Sequence, residues 1–176
     1  MTTRPTLLIF SGLPGVGKTT LARTAARGLR ATYLRIDSIE QAIERALRET
    51  GRLTGDLGPA GYMAAYALAR EALLLGQSVV ADSVNPIELT RAAWREVAQD
   101  AAAPCVDVEV VCSDPAEHKR RVETRVPDIP GMIPPTWRQV CERRYEPWGR
   151  PRIVIETAGR TPEDCAAELR AKLGSA

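Results

Sequence analysis

Short apolar runs alternate along this chain with longer segments of helical periodicity. The apolar runs are rich in β-branched residues and predict five strands, at residues 6–10, 32–36, 78–82, 105–112 and 152–156. The segments between and after them predict helices at about residues 18–30, from 38 onward, 60–75, 86–100, 115–125, 135–145 and 162–173. Because apolar strands that alternate with helices are buried on both faces, the pattern predicts an α/β fold with a parallel sheet between two helical layers.

Several predicted helices begin with recognisable capping sequences. Asn85, Asp114 and Thr161 each precede a proline, and a carboxylate follows two residues after that proline. A capping side chain, proline in the first turn and an early carboxylate all favour a helix start. Ser38 and Gln41 have the spacing of a capping box and predict a helix that begins at Ser38.

A glycine-rich segment lies between the first predicted strand and the first predicted helix. The run from Gly12 to Thr19 fits G-x-x-x-x-G-K-[ST], whose backbone N–H groups encircle phosphates at a helix N-terminus. In this motif Lys18 reaches the outer phosphates and the Thr19 hydroxyl ligates Mg²⁺. The sequence therefore predicts binding of ATP and Mg²⁺. The predicted nucleotide contacts are Gly12, Pro14, Gly15, Val16, Gly17, Lys18, Thr19 and Thr20.

With this motif, the order of elements resembles the P-loop kinases, in particular the small ATP-binding phosphotransferases that include chloramphenicol phosphotransferase, zeta toxins and gluconate kinase-like enzymes. The resemblance implies a three-layer P-loop NTPase fold with a five-stranded parallel sheet in the order 2-3-1-4-5. It also implies transfer of the ATP γ-phosphoryl group beneath a small helical lid, expected at about residues 115–135. We expect residues 1–176 to form a single domain of this kind.

Two aspartates follow predicted strands, at the sheet edge where parallel sheets bind ligands. In the resembled group, an aspartate at the place of Asp37 accepts the proton of the substrate hydroxyl; the alternative is a helix cap. Asp82 resembles the Walker B aspartate that helps to hold Mg²⁺, although in some relatives the equivalent residue binds substrate. Asn85 follows closely, either as a substrate contact or as a helix cap.

The predicted helix at 115–125 carries a concentration of basic residues. Arg121 and Arg125 lie one turn apart on one face, together with His118. Lids of P-loop kinases use such arginines to stabilise the charge of the transferring phosphoryl group. The alternative is a solvated charged helix, and His118 is expected at the surface rather than in catalysis. A further candidate phosphate contact is Arg138.

Two further positions complete the predicted site. Tyr62 and Tyr66 lie four residues apart on one helix, where they could border the acceptor site or pack in the core. Thr157 follows the last strand, where relatives hold adenine through backbone groups. The predicted roles are therefore catalysis by Lys18, Asp37, Arg121 and Arg125, nucleotide contact by the phosphate loop and Thr157, substrate contact by Asp37, Tyr62, Asp82 and Asn85, and metal binding by Thr19 and Asp82.

Composition and charge limit the functions that this chain can be expected to have. The net charge of +2 and pI of about 8.4 do not call for nucleic acid as a partner. The longest apolar stretch, residues 60–69, is too short to span a membrane, and the spacing of the four cysteines is typical of reduced thiols in a cytoplasmic protein. We expect a monomer or homodimer that phosphorylates a small hydroxylated molecule. The alternatives are a nucleoside or polynucleotide 5′-hydroxyl kinase, and a nucleotide-binding switch without phosphotransfer.

Overall fold

The computed structural model describes residues 4–174 and contains one five-stranded parallel sheet. Its strands are β1 (Leu7–Ser11), β2 (Thr32–Arg35), β3 (Val79–Asp82), β4 (Cys105–Val111) and β5 (Ile153–Glu156). They are arranged in the order β2-β3-β1-β4-β5, and every neighbouring pair is parallel. The predicted strands and the strand order implied by the resemblance are confirmed.

Seven helices are seen in the described part of the chain. They are α1 (Lys18–Leu29), α2 (Ile36–Glu49), α3 (Ala60–Leu74), α4 (Glu88–Asp100), α5 (Pro115–Thr124), α6 (Trp137–Cys141) and α7 (Pro162–Gly174). Most bounds agree with the sequence pattern, but α6 is a single short turn where a helix over 135–145 was predicted. Thr136 begins α6 through a capping box with Gln139.

Two hydrophobic clusters hold the helices against opposite faces of the sheet. Alternate side chains of β1 point to opposite faces, as strand geometry requires. Leu7 and Ile9 pack with residues of α3 and α4, whereas Leu8 and Phe10 pack with residues of α1 and α7. The fold is therefore the expected three-layer α/β arrangement, and the carboxyl ends of its strands share one edge.

Two of the predicted capping sequences are confirmed. Asp114 accepts hydrogen bonds from the backbone of Ala116 and Glu117, and Thr161 accepts one from the backbone of Asp164. These side chains begin α5 and α7 as the prolines after them predict.

The other two predicted helix starts are wrong. The buried Ile36 already belongs to α2, so Ser38 lies inside this helix and Asp37 in its first turn. Asn85 does not cap α4, which begins at Glu88 after the extended Ile87. Its side chain is instead fully buried and bonded to interior groups, which overrides the capping preference.

The irregular segment after α6 is fastened to the core by Arg91 of α4. This side chain is fully buried and donates hydrogen bonds to the backbone oxygens of Asn85, Glu146 and Pro147 at 2.9, 2.9 and 3.3 Å. Its guanidinium also stacks on Trp148, 4.1 Å from the ring centroid. A buried cation is thus satisfied by carbonyl oxygens and by an aromatic face.

All four cysteines are free. Among residues 4–174, no helix has both the length and the apolar character needed to cross a membrane.

Candidate nucleotide and acceptor site

The glycines of the phosphate loop occupy conformations that favour glycine. Gly12, Gly15 and Gly17 have φ values of 144°, 87° and 91°. A Cβ atom on Gly12 would lie 2.4 Å from the backbone oxygen of Val110, and one on Gly15 would lie 2.5 Å from the Val122 side chain. Close packing against β4 and α5 therefore requires glycine at positions 12 and 15, and the positive φ favours it at position 17.

A cleft of about 1070 Å³ opens at the carboxyl edge of the sheet. From the phosphate loop and the start of α1, it is lined by Pro14, Gly15, Gly17, Lys18, Thr19 and Thr20. From other elements, the predicted residues that line it are Asp37, Tyr62, Arg121, Arg125 and Thr157. The fold thus brings most of the predicted site residues to one cleft.

Four predicted site residues lie outside this lining: Gly12, Val16, Asp82 and Asn85. Gly12 and Val16 support the loop from behind, since Val16 belongs to the core beneath it. Asn85 donates to Phe10 O at 3.3 Å and accepts from Trp94 Nε1 at 3.2 Å. Its buried amide joins strand ends, so the geometry does not support the predicted substrate contact.

A buried ion pair joins the phosphate loop to the end of β3. Lys18 Nζ lies 2.6 Å from one carboxylate oxygen of Asp82, and the Tyr33 hydroxyl donates to the other at 2.7 Å. Burial alone would raise the pKa of Asp82, but the charge of Lys18 and the hydrogen bonds from Lys18 and Tyr33 outweigh it and lower that pKa. Asp82 is therefore a carboxylate, and it positions the lysine beside the cleft.

The chemistry around Asp82 fits Mg²⁺ bound together with a nucleotide. Among the described residues, no group of three or more histidines, cysteines or carboxylates could hold a metal ion by itself. Mg²⁺ usually takes only one or two protein ligands and completes its shell with phosphate oxygens and water. Thr19 lines the cleft, and Asp82 lies just behind the lining, where it is bonded to Lys18. These two residues fit such an ion.

Two carboxylates from the first turns of α2 face the cleft. Asp37 is paired with Arg35 at 3.4 Å and its side chain is 31 % exposed, so an entering molecule can reach it. Glu40 lies one turn later, and burial together with the negative charge of Asp37 raises its pKa. Sequence reasoning missed Glu40, although its spacing of three from Asp37 places both on one helix face.

Helix α5 is fixed to the phosphate loop and to the loop after β5. Arg121 donates to the hydroxyl and the backbone oxygen of Thr157, both at 2.9 Å, and pairs with Glu117 at 2.5 Å. The Thr157 hydroxyl in turn donates to Val16 O at 2.9 Å. Arg121 is thus held at the cleft by a network that includes the phosphate loop itself.

His118 is buried rather than at the surface, which corrects the sequence expectation. Its Nε2 donates to the backbone oxygen of Pro14 at 2.8 Å, and its ring lies edge-on to Trp137. The contact with Trp137 and the hydrogen bond to Pro14 offset the free-energy cost of removing the imidazole from water. Its role is therefore to hold α5 against the phosphate loop.

The proline-rich segment between α5 and α6 carries Asp128, which binds arginines from three elements. Arg23 of α1 lies 2.6 Å away, Arg35 of β2 lies 2.9 Å away, and Arg125 lies 4.0 Å away. Burial acts in the opposite direction, but hydrogen bonds from Arg35 and Arg23 lower the pKa of Asp128 to about 2. This segment is thereby drawn across the acceptor side of the cleft.

Sequence reasoning missed this arginine cluster, although weak signals existed. Arg35 is a charged residue inside an otherwise apolar strand, two residues before Asp37, and Arg23 lies one helical turn after Thr19. The candidate Arg138 pairs with Glu142 and is 83 % exposed, outside the cleft. Arg143 lines the cleft instead.

Comparison with known proteins places the chain in a family. The model of the family described as an AAA domain matches residues 7–131, and the chain belongs to this family. No curated protein matches its sequence.

Solved structures with the same fold include several P-loop proteins. Kti12 from Chaetomium thermophilum, in complex with ADP-AlF3, is 23% identical with a TM-score of 0.70, covering 97% of this chain and 98% of its own. The Mycobacterium tuberculosis APS kinase CysC, in complex with AMPPNP and APS, is 20% identical with a TM-score of 0.68, with coverage of 97% and 98%. A gluconokinase from Sinorhizobium meliloti is 17% identical with a TM-score of 0.66, with coverage of 98% and 93%. The chain therefore has the fold of the small P-loop kinases.

Proposed function

We propose that this protein is an ATP-dependent phosphotransferase that moves the γ-phosphoryl group of ATP·Mg²⁺ to a hydroxyl group of a small molecule. One observation carries the proposal: a single cleft contains both the phosphate loop and the accessible carboxylate of Asp37. Phosphoryl transfer needs an acceptor oxygen in line with the γ-phosphate and a group that takes its proton. The cleft volume of about 1070 Å³ accommodates a nucleotide and a small acceptor.

Each proposed role follows from a position in the cleft. Asp37 orients the acceptor hydroxyl and accepts its proton. Lys18 contacts the outer phosphates, while Arg121 and Arg125 face the charge that spreads over the transferring group. Mg²⁺, held by Thr19 and Asp82 beside the nucleotide, would neutralise phosphate charge.

Two other functions remain as alternatives. The fold shared with Kti12 is compatible with a nucleotide-binding switch, which would need the phosphate loop but no base at Asp37. A nucleoside or polynucleotide 5′-hydroxyl kinase would need a basic path that leads to the acceptor side. Such a path would be expected near residues 40–70, where the basic and acidic residues are equal in number, so this stretch is not clearly basic.

The decisive experiment is a screen for phosphorylated products with ATP and Mg²⁺. Hydroxylated antibiotics, sugars, sugar acids, nucleosides and 5′-hydroxyl oligonucleotides serve as acceptors. We expect transfer to one class of small acceptor that exceeds ATP hydrolysis. Nucleotide binding without transfer to any acceptor would favour the switch.

A first prediction concerns Asp82. Asp82→Asn should raise the Mg²⁺ concentration needed for half-maximal activity, by about tenfold, because the neutral amide is a poorer partner for the cation. Activity is measured against Mg²⁺ at saturating ATP. An unchanged Mg²⁺ requirement with a raised acceptor KM would assign Asp82 to substrate binding instead.

A second prediction concerns the lid at 115–135. His118 and Arg121 fix α5, whereas Asp128 pairs the segment at 126–135 with Arg23 and Arg35. We expect the amides of 126–135 to exchange faster than those of α5 in the free protein, and Asp128→Asn to accelerate them further. Hydrogen exchange followed by mass spectrometry tests this, and equal protection of both regions would contradict a movable segment.

We also propose a cytoplasmic location, which the four free cysteines support. The monomeric or homodimeric state stays a prediction.

A further inference from the structure

Arg35 is a buried cation whose charge is balanced in part by a loop residue. Its side chain is only 2 % exposed, and burying a guanidinium is costly unless anions lie against it. The chain supplies two anions. Asp37 belongs to the adjoining helix at 3.4 Å, whereas Asp128 belongs to the proline-rich segment at 2.9 Å. The shorter contact therefore comes from the irregular segment and not from the adjoining helix.

The guanidinium N–H groups around Asp128 outnumber the hydrogen bonds that its carboxylate accepts. The Arg35 Nε atom is buried and has no hydrogen-bond partner. Arg125 lies at 4.0 Å from Asp128, beyond a normal hydrogen bond. Arg23 completes the cluster at 2.6 Å and is partly exposed to the cleft. Planar guanidinium groups bind carboxylate, phosphate and sulfate oxygens in pairs, so this cluster has unused capacity for an oxyanion.

We propose that Arg23 and Arg35 form an oxyanion subsite for the acceptor, bordered by the phosphoryl-facing Arg125. Asp128 occupies this subsite while no acceptor is bound. The acceptor is then a small hydroxylated molecule that also carries a carboxylate, phosphate or sulfate group. This inference rests on the proposed phosphotransferase function. Replacing one carboxylate by another oxyanion keeps Arg35 neutralised throughout the exchange, so no unpaired buried charge is created.

The same geometry limits the size of the acceptor. One guanidinium, that of Arg35, contacts both Asp37 and Asp128. A hydroxyl directed at Asp37 and an oxyanion in the place of Asp128 are therefore separated by little more than the width of that group. A molecule that presents its hydroxyl and its oxyanion a few bonds apart satisfies both contacts, and a neutral molecule satisfies only the first.

The first test measures anion binding directly and does not depend on phosphotransfer. Sulfate is titrated by calorimetry into protein saturated with ADP, and acetate is titrated separately to compare a carboxylate with a tetrahedral oxyanion. Asp128→Asn should bind the preferred anion about tenfold more tightly, because the competing carboxylate is gone, and Arg23→Gln about tenfold more weakly. Arg27→Gln, on the exposed side of α1, is the matched control and should leave the affinity unchanged. Affinities unaffected by both Asp128→Asn and Arg23→Gln would overturn the subsite.

The second test compares acceptors that share a carbon skeleton and differ in charge. A sugar, the corresponding sugar acid and the corresponding sugar phosphate are assayed with ATP. We expect kcat/KM to be at least about tenfold higher for an anionic member of the set. In Arg23→Gln this advantage should disappear through a higher KM for the anionic acceptor, whereas the control Arg27→Gln should keep it.

The two tests separate the inference from the function on which it rests. Transfer to neutral acceptors with equal efficiency, together with sulfate binding that ignores Arg23, would leave the phosphotransferase intact and remove the subsite. No transfer to any acceptor would remove the proposed function, while the calorimetric result would still decide whether an oxyanion displaces Asp128.

Discussion

Asp37→Asn is expected to lower kcat by roughly 10²–10⁴-fold while the affinity for ATP stays nearly unchanged. The asparagine keeps the shape of the side chain and its place in the first turn of α2, but it cannot accept the proton of the acceptor hydroxyl. Because Asp37 lies on the acceptor side of the cleft, the nucleotide contacts of the phosphate loop are not altered. Steady-state kinetics and nucleotide titration of the same preparation measure the two effects.

Two carboxylates of α2 provide the controls. Glu49→Gln, at the exposed end of the helix, should leave kcat unchanged. Glu40→Gln tests the competing base, since burial raises the pKa of Glu40 and the residue lines the same cleft. A large loss in Glu40→Gln with little loss in Asp37→Asn would transfer the role of the base to Glu40.

Lys18→Met is expected to lower phosphotransfer by at least about 10²-fold, because no other residue of the loop places a positive charge on the outer phosphates. It should also lower the free energy of unfolding by about 3–5 kcal/mol at neutral pH, since Asp82 loses its partner while its side chain stays fully buried. Lys119→Met, on the exposed face of α5, should change neither property. Urea unfolding and product assays measure the two effects.

The pH dependence identifies the cause of this destabilisation. In wild type the pKa of Asp82 lies below its ordinary value, so the ion pair stabilises the fold above about pH 4 and is lost at lower pH. In Lys18→Met burial raises that pKa, and the variant should therefore approach wild-type stability as the pH falls to about 4. Lys18→Met combined with Asp82→Asn should recover stability at neutral pH but not activity. A destabilisation that is independent of pH would contradict the buried pair as its cause.

Most of the fold could be predicted from the sequence because it depends on short-range patterns. Apolar runs such as Leu7–Ser11 are buried on both faces of a parallel sheet, and Asp114 and Thr161 begin helices through contacts within a few residues. Asn85 shows the limit of such reasoning. Its neighbours favour a helix cap, but Trp94 and Phe10 bring interior hydrogen-bonding groups that no local pattern reveals.

In the candidate site, too, some residues could be predicted from local sequence and others depend on tertiary contacts. The phosphate loop and Asp37 were predictable, since each follows directly from a strand end. The partners of Asp128 were not, because they come from α1, β2 and the end of α5, which only the folded sheet brings together. The burial of His118 likewise depends on Trp137 of a later helix.

The contacts of Arg91 limit how far the chain can be shortened without loss of its fold. The family match ends at residue 131, yet the carbonyl oxygens of Glu146 and Pro147 and the ring of Trp148 that satisfy this cation all come later. A fragment that stops at the end of the match would leave a guanidinium in the protein interior without these partners, and β4 would become an edge strand. The minimal unit that folds independently therefore extends beyond the matched residues 7–131 and includes β5, so the segment that follows the match is a structural requirement rather than an appendage.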